Sequence, residues 1–161
     1  MAVIIVLAKD MIIQIREQIH DISNEYSDEI LLKYINTGIK SASNLLIAAK
    51  HCSMMDKIVV EEGMEVPKNF VKFAGFFPVS IVANRFYFFD KDYSVIEAIY
   101  YCSKEIVKNA DGKIPFDDDS VLLYIEQYAS ILALNRNEFD VSTDTQILKS
   151  LEDTFFASLQ T

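Results

Sequence analysis

The longest amphipathic pattern in the chain, residues 26–50, is the feature that most restricts how it can fold. Ser27 is a good N-cap, and Asp28 and Glu29 follow it in the first turn, where carboxylates suit the positive end of the helix dipole. Apolar residues recur at helical spacing and polar residues occupy the opposite face. The apolar stripe consists of Leu31, Tyr34, Ile35, Ile39, Ala42, Leu45, Leu46 and Ala49. The pattern predicts one long helix with a single buried face.

Three further segments have helical periodicity. The first covers residues 11–24, and the second runs from about 117 to 136. The third begins with Thr143 and Gln146 in the arrangement of a capping box and continues nearly to the end of the chain. Gly38 lies inside the long helix, where glycine costs about 1 kcal/mol relative to alanine. It is equally consistent with the close approach of another helix and with a tolerated surface position.

The middle third of the chain has short β-rich runs instead of helical stripes. Residues 57–61 alternate between apolar and polar, and residues 93–103 read as another strand. Between them, residues 76–83 and 86–90 are two β-rich runs joined across residues 84–85, which predicts a hairpin. These runs predict a small antiparallel sheet.

Taken in order, these elements predict a mainly α protein of the α+β class. We expect a four-helix-type bundle with a small antiparallel β insertion between the second and third helices. The insertion is placed at about residues 57–103, within a single domain of residues 1–161. The apolar residues 1–8 are either an arm that adds a strand to a neighbouring subunit or the first turn of the first helix.

The charge balance restricts the partners that this chain can bind. Its formal net charge is −9 and its pI is about 4.6. Such a chain is a poor candidate for binding nucleic acid, because phosphate binding needs clustered Lys and Arg. A hydrophobic content of 51% and a mean hydropathy of +0.16 are nevertheless high for an acidic chain. Either the core is unusually rich or apolar surface is kept for partner subunits, and we favour partner subunits.

The cysteine content and the N-terminal stretch bear on location. Only Cys52 and Cys102 are present, far apart in the chain, so a reducing compartment is the default expectation. Residues 2–8 are apolar but too short to span a bilayer, and they lack the basic region and cleavage pattern of a signal peptide. We therefore expect a protein made and used in cytoplasm, with no membrane partner.

No catalytic motif occurs in the sequence. The adjacent His51 and Cys52 have metal-ligand chemistry, but only His20 and Cys102 could join them from a distance, so packing at a helix end is the simpler interpretation. The aspartates at 117–119 lack the spacing of an EF-hand and suit the start of a helix. We expect no enzymatic activity, no cofactor and no metal site.

Six segments follow one another in a recognisable order along residues 10–155. They are YSDEILLKYIN at 26–36, VPKNF at 66–70, RFYFF at 85–89, the tyrosine pair at 100–101, IPFDDD at 114–119 and LNRNEFD at 134–140. This order resembles the head-to-tail connector or adaptor proteins of tailed bacteriophages, the small neck proteins that stack below the portal.

The resemblance implies a helical bundle with a β insertion that assembles into a ring, typically twelvefold. Such a ring joins portal to tail and leaves an axial channel for genomic double-stranded DNA, whose phosphates an acidic wall would repel. The implied partners are further copies of the chain, the portal protein and an adjacent neck or tail protein. The implied location is the neck or tail region of the virion, after assembly in the host cytoplasm. The alternative function is a cytoplasmic helical interaction or regulatory module that acts as a monomer or dimer.

Aromatic side chains supply the candidate interface. The aromatic cluster at residues 70–89 is either hydrophobic core or part of an interface. Strand alternation sends only half of its side chains inward, so an outer sheet face or the 84–85 loop could meet an adjacent subunit or a stacked ring. Near the C-terminus, two consecutive Phe residues cannot share one narrow helical stripe. The predicted interface residues are Phe76, Phe77, Arg85, Tyr87, Phe89, Phe155, Phe156 and Leu159.

Overall fold

The computed structural model describes residues 5–136 and 141–160, and the side chains of residues 141–144 lie outside this description. Over this range the chain forms four α-helices and five β-strands. In chain order they are α1 (Ala8–Gln18), α2 (Asp28–Ala48), β1 (Met55–Glu61), β2 (Phe70–Phe73), β3 (Val79–Val82), β4 (Arg85–Phe88), β5 (Val95–Cys102), α3 (Asp119–Asn135) and α4 (Val141–Leu159). None of the described helices is long and apolar enough to cross a membrane.

The internal contacts divide the chain into two compact units. Met1–Leu45 and Lys104–Thr161 form one, here called the helical unit, and Leu46–Ser103 form the other, here called the β unit. The prediction of one connector domain over residues 1–161 stays a prediction.

The predicted four-helix-type bundle is wrong. The strands do lie between the second and third helices, but they account for 20% of the chain against 45% for helix, and they enclose a hydrophobic core of their own. Helical periodicity indicates which face of a segment is buried, and it does not identify the element that covers that face. The β-branched and aromatic residues of the middle third are numerous enough to build a separate core, which makes this region more than a small insertion.

In the helical unit, α3 packs against both α1 and α4. Gly38 of α2 lies against α3, because a Cβ added there would stand 3.2 Å from the carbonyl oxygen of Ile125. Of the two interpretations of Gly38, the close approach of another helix is the one observed. The buried residues of this unit include Met11, Ile12, Ile15, Leu31, Ile35, Ile39, Ala42, Val121, Leu122, Tyr124, Ile125, Ala129, Ala133 and Phe155.

The beginning of the helical unit is held by backbone hydrogen bonds to the segment before α3. Leu7 forms an antiparallel bridge with Lys113, and the Ala8 N–H donates to the carbonyl of Gly112 at 2.8 Å. Ala8 also begins α1, so this part of the predicted arm pairs with its own chain and then enters the first helix. The first four residues of that arm lie outside the described residues.

In the β unit, the strands form an antiparallel three-stranded sheet of order β1-β5-β2 and a separate β3-β4 hairpin. Ile58 of β1 lies opposite Ala98 of β5, which places both on the inner face of the sheet. The core of the unit consists of Ile58, Val60, Val79, Phe86, Ala98 and Tyr100, with Met64, Val66, Phe70, Phe73, Phe77, Phe88, Ile96 and Cys102 packed against it. This core fixes which side chains of the hairpin remain outside.

Candidate interaction surfaces

The β3-β4 hairpin is closed by a two-residue turn, Ala83 and Asn84. Val82 lies opposite Arg85, so the turn comes one residue earlier than the sequence pattern predicted. Ala83 and Asn84 have φ angles of 49° and 61°, the left-handed conformation that type I′ turns require and that matches the twist of the two strands. Because a hairpin turn sets the strand register, it also decides which side chains face the core.

Alternation along the hairpin separates buried from exposed apolar residues. Val79 and Phe86 are 8% and 0% exposed, and they face the core. Their neighbours on the opposite face are open to solvent: Val82 is 58% exposed, Tyr87 36% and Phe89 66%. Large apolar side chains therefore occupy both faces of β4, although only one face has a core to cover it.

Phe76 extends this exposed surface beyond the strands. It lies in the loop before β3 and is 88% exposed, whereas the ring of the next residue, Phe77, lies 5.4 Å from that of Phe73. The Phe89 N–H donates to the Pro78 carbonyl at 3.0 Å, which places Phe89 at the same end of the hairpin as this loop. We call the exposed set the hairpin surface, and it consists of Phe76, Val82, Tyr87 and Phe89.

Arg85, at the turn end of the hairpin, already has partners within the β unit. Its guanidinium donates to the carbonyl oxygen of Gly63 at 2.8 Å and to the carboxylate of Glu65 at 3.2 Å. The ion pair is largely solvated, so its contribution to stability is below about 1 kcal/mol. Arg85 ties the hairpin to the segment after β1 and borders the hairpin surface.

The C-terminal candidates divide in the same way between core and surface. Phe155 is 6% exposed, and its ring stacks on that of Tyr124 at 4.4 Å. The Tyr124 hydroxyl lies 2.7 Å from Ser41 Oγ, and burial raises the pKa of Tyr124 above its usual value. Packing in the helical unit thus accounts for Phe155, while Phe156 and Leu159 are half-buried.

The residues considered as metal ligands have local structural roles. His51 Nδ1 accepts a hydrogen bond from the Ser53 N–H at 3.3 Å and caps the short 3₁₀ turn that follows it. The carboxylate of Asp118 accepts from the backbone N–H groups of Ser120 and Val121 and caps α3. Among the described residues, no three His, Cys, Asp or Glu side chains come together as a metal site.

The carboxyl group of Glu126, on α3, has a shifted pKa. Burial raises the pKa of its carboxyl above the usual value, a hydrogen bond from the Gln18 amide lowers it, and the charge of Glu17 raises it again. Ser130 Oγ donates to Gln18 Oε1 at 2.8 Å and so orients the amide that contacts Glu126. The carboxylate form is therefore less favourable in the folded chain than in the unfolded chain.

We expect Glu126→Gln to stabilise the protein at neutral pH. Because the carboxyl pKa is higher in the folded chain, the wild type loses stability as the pH rises from the unfolded pKa of about 4.5 through the folded pKa. The uncharged amide of the variant does not suffer this loss, so the free energy of unfolding at neutral pH should rise. The increase is less than about 1 kcal/mol, because the group is partly in water. Urea unfolding at about pH 7 and about pH 3.5 measures the effect. The two proteins should agree at the lower pH, and equal stability at the higher pH would contradict this account.

The charge of the chain is divided unevenly between its two units. The helical unit holds 17 of the 24 acidic residues and nine of the 15 basic ones, whereas the β unit holds seven acidic and six basic residues. The net charge is therefore −8 on the helical unit and −1 on the β unit. Treating charge as a property of the whole chain missed this division, which a count along the sequence could have found.

No model of a known protein family and no curated protein matches the chain.

Proposed function

We propose that this chain is a structural subunit of a tailed-phage neck ring, which joins portal to tail and surrounds an axial channel for double-stranded DNA. The observation that carries the proposal is the hairpin surface, a group of exposed aromatic and apolar side chains on the nearly neutral β unit. The order of sequence segments along residues 10–155 supports the same assignment.

The hairpin surface suits a protein contact for energetic reasons. Single exposed apolar residues are ordinary, but Phe76, Tyr87 and Phe89 lie on one hairpin and its adjoining loop. Burying a Phe side chain contributes about 1.5–3 kcal/mol, and aromatic residues are enriched among those that dominate binding energy. In this function the hairpin surface binds the portal or the adjacent neck or tail protein.

The acidic helical unit suits the wall of a DNA channel. A net charge of −8 on this unit in each copy would be repeated around a ring of about twelve subunits. Carboxylates repel phosphates most strongly within the Debye length, about 8 Å at physiological ionic strength. Such a wall would let DNA pass without binding it.

A portal-binding measurement tests the proposal. The purified chain is mixed with the portal of the same phage, and the complex is followed by light scattering after size exclusion. We expect a ring on the portal for the wild type, and binding weakened at least about 100-fold for the triple variant Phe76→Ser, Tyr87→Ser, Phe89→Ser. All three side chains are exposed, so the variant should fold normally.

The matched control is Leu123→Ser, which removes a side chain 51% exposed on α3 of the helical unit and should bind like the wild type. Antibody labelling of purified virions gives an independent readout, with signal expected at the neck. A wild-type chain that ignores the portal and is missing from virions would refute the function. Equal binding of the triple variant would refute the role of the hairpin surface alone.

A further inference from the structure

Besides the hairpin surface of the β unit, the chain has an exposed apolar residue in the helical unit, in the turn between α1 and α2. The sequence pattern predicts a first helix as far as residues 23–24, but α1 ends at Gln18. His20 and Asn24 have φ angles of 56° and 53°, and between them the chain leaves the helix. Ile22, which belongs to the apolar stripe in the sequence, is 93% exposed as a result.

This turn is held by a network centred on two charged side chains. The Asp21 carboxylate, whose side chain is 2% exposed, accepts from the Glu25 N–H at 2.8 Å and pairs with Arg16 Nε at 3.4 Å. Arg16 also donates to the Tyr26 carbonyl at 2.6 Å and to the Asp28 carboxylate at 2.7 Å. Because these hydrogen bonds and ion pairs hold both ends of the turn, the exposed Ile22 side chain has a defined position.

Exposed carboxylates follow Ile22 in the chain, between the turn and the first residues of α2. Glu25 and Glu29 are exposed, and the Asp28 side chain remains 60% exposed although it pairs with Arg16. We call residues 20–29 the Ile22 turn, an apolar tip in an acidic setting.

A cleft of complementary character lies in the segment between β5 and α3. Its volume is about 530 Å³, and it is lined by the lysines at 104, 108 and 113, with Ile106 and Phe116 as apolar lining. Glu105 and Asp117 also line it, which leaves one net positive charge in a unit whose overall charge is strongly negative. We call it the lysine cleft.

The lysine cleft is also fixed in shape. The Asn36 amide accepts from the Val107 N–H and donates to its carbonyl, both at 2.8 Å, which holds the segment against α2. Gly112 packs so closely that a Cβ there would stand 2.6 Å from Val107 Cγ1. Lys104 lies with its ammonium 5.7 Å from the centre of the Phe116 ring.

The Ile22 turn and the lysine cleft lie at opposite ends of α1. At the first end, the N–H groups of Ala8 and Lys9 donate to the carbonyls of Gly112 and Ala110, both at 2.8 Å, next to the cleft. The second end, after Gln18, leads directly into the Ile22 turn. The helix has 11 residues and is therefore about 16 Å long. A protrusion and a matching cleft at opposite ends cannot meet within one molecule.

We propose that the Ile22 turn of one copy inserts into the lysine cleft of the next copy, a contact that rests on the ring function proposed above. The exposed carboxylates of the turn meet the lysines, and Ile22 meets the apolar lining. The contact joins two different surfaces, so repeated copies associate head to tail, an arrangement that forms a ring when the rotation from copy to copy closes. The charge pairs set the orientation of neighbouring subunits against the repulsion between acidic units.

Two variants with one defective surface each provide the test. The turn variant carries Ile22→Ser and Glu29→Ser, and the cleft variant carries Lys108→Glu and Lys113→Glu, all at exposed positions that should leave the fold intact. We expect the wild type to form higher oligomers in sedimentation velocity. Each variant alone should self-associate at least about 100-fold more weakly.

Mixing the variants tests whether the turn of one copy contacts the cleft of another, and growth of the wild type beyond a dimer shows that the contact is head to tail. The intact turn of the cleft variant fits the intact cleft of the turn variant, so the mixture should form one-to-one dimers that cannot grow further. Ile147→Asp, at a side chain 48% exposed on α4, is the control and should assemble like the wild type. Circular dichroism and thermal unfolding verify that every variant folds.

Three results would overturn the inference: a monomeric wild type, assembly of either variant alone at wild-type strength, or a mixture that stays monomeric. None of these decides the neck function, which the portal-binding measurement tests separately. A chain whose two variants both form rings on the portal would retain that function and lose this contact.

Discussion

Phe86→Ala is expected to lower the free energy of unfolding by about 3–5 kcal/mol, the usual cost of truncating a buried Phe. Phe86 is 0% exposed, and its ring lies 5.5 Å from that of Phe70 and 5.6 Å from that of Phe73. Removing it leaves a cavity among aromatic rings in the centre of the β unit. Both rings belong to β2, which is hydrogen-bonded to β5, so they can collapse into that space only partly.

The matched control for Phe86 is Phe76→Ala, which makes the same chemical change at a side chain 88% exposed. We expect it to change the free energy of unfolding by no more than about 0.5 kcal/mol. Urea unfolding followed by tyrosine fluorescence suits this chain, because it contains eight Tyr and no Trp. Equal losses for the two variants would contradict the division of the hairpin into an inner and an outer face.

Gly38→Leu is expected to destabilise the helical unit by about 1–3 kcal/mol, since it places a side chain where α2 touches α3. Even a single Cβ would lie 3.2 Å from the carbonyl oxygen and 3.3 Å from the Cγ2 atom of Ile125. The backbone oxygen cannot move without disturbing α3, so a larger side chain must push the helices apart.

Two further variants separate packing from helix propensity at Gly38. Thr37→Leu places the same side chain at the adjacent exposed position of α2 and should have an effect below about 0.5 kcal/mol. Gly38→Ala gains about 1 kcal/mol of helix propensity and loses a similar amount to the close contact, so its net effect should be small. If Gly38→Leu were as stable as the wild type, α2 and α3 could not be in contact at this residue.

The spacing of apolar residues and the capping residues predicted the long helix well. The pattern over residues 26–50 corresponds to α2, Asp28–Ala48, and the Ser27 hydroxyl accepts a hydrogen bond from the Ile30 N–H at 3.3 Å, as an N-cap does. The acidic run before α3 includes its cap, Asp118. These features depend on residues within one helical turn of one another, which is why sequence spacing reveals them.

Predictions that depended on distant residues were less successful. The first helix ends at Gln18 because Arg16, Asp21 and the α1-α2 turn form their own network, which competes with continued helix. The last helix begins at Val141, so the predicted capping box at Thr143 lies inside it. The prediction of a helical bundle was wrong, because an apolar stripe on a helix does not specify which element packs against it.

The candidate interface depended on both kinds of information. Alternation predicts that half of the side chains in a strand point outward, but only the register set by the Ala83-Asn84 turn assigns Tyr87 outward and Phe86 inward. Similarly, the sequence placed Phe155 and Phe156 on different faces of a helix, and the stacking on Tyr124 decided that Phe155 is buried. Ile22 belonged to an apolar stripe and is exposed only because the helix ends before it.

Composition and the spacing of residues along single segments are enough to predict where most helices and strands lie, the acidic net charge and the apolar excess. Packing between distant segments is what makes the strands a separate core and leaves particular apolar residues exposed. Exposure is a property of the whole packing arrangement. A side chain stays in solvent when no other element covers it, and that depends on residues far away in the chain.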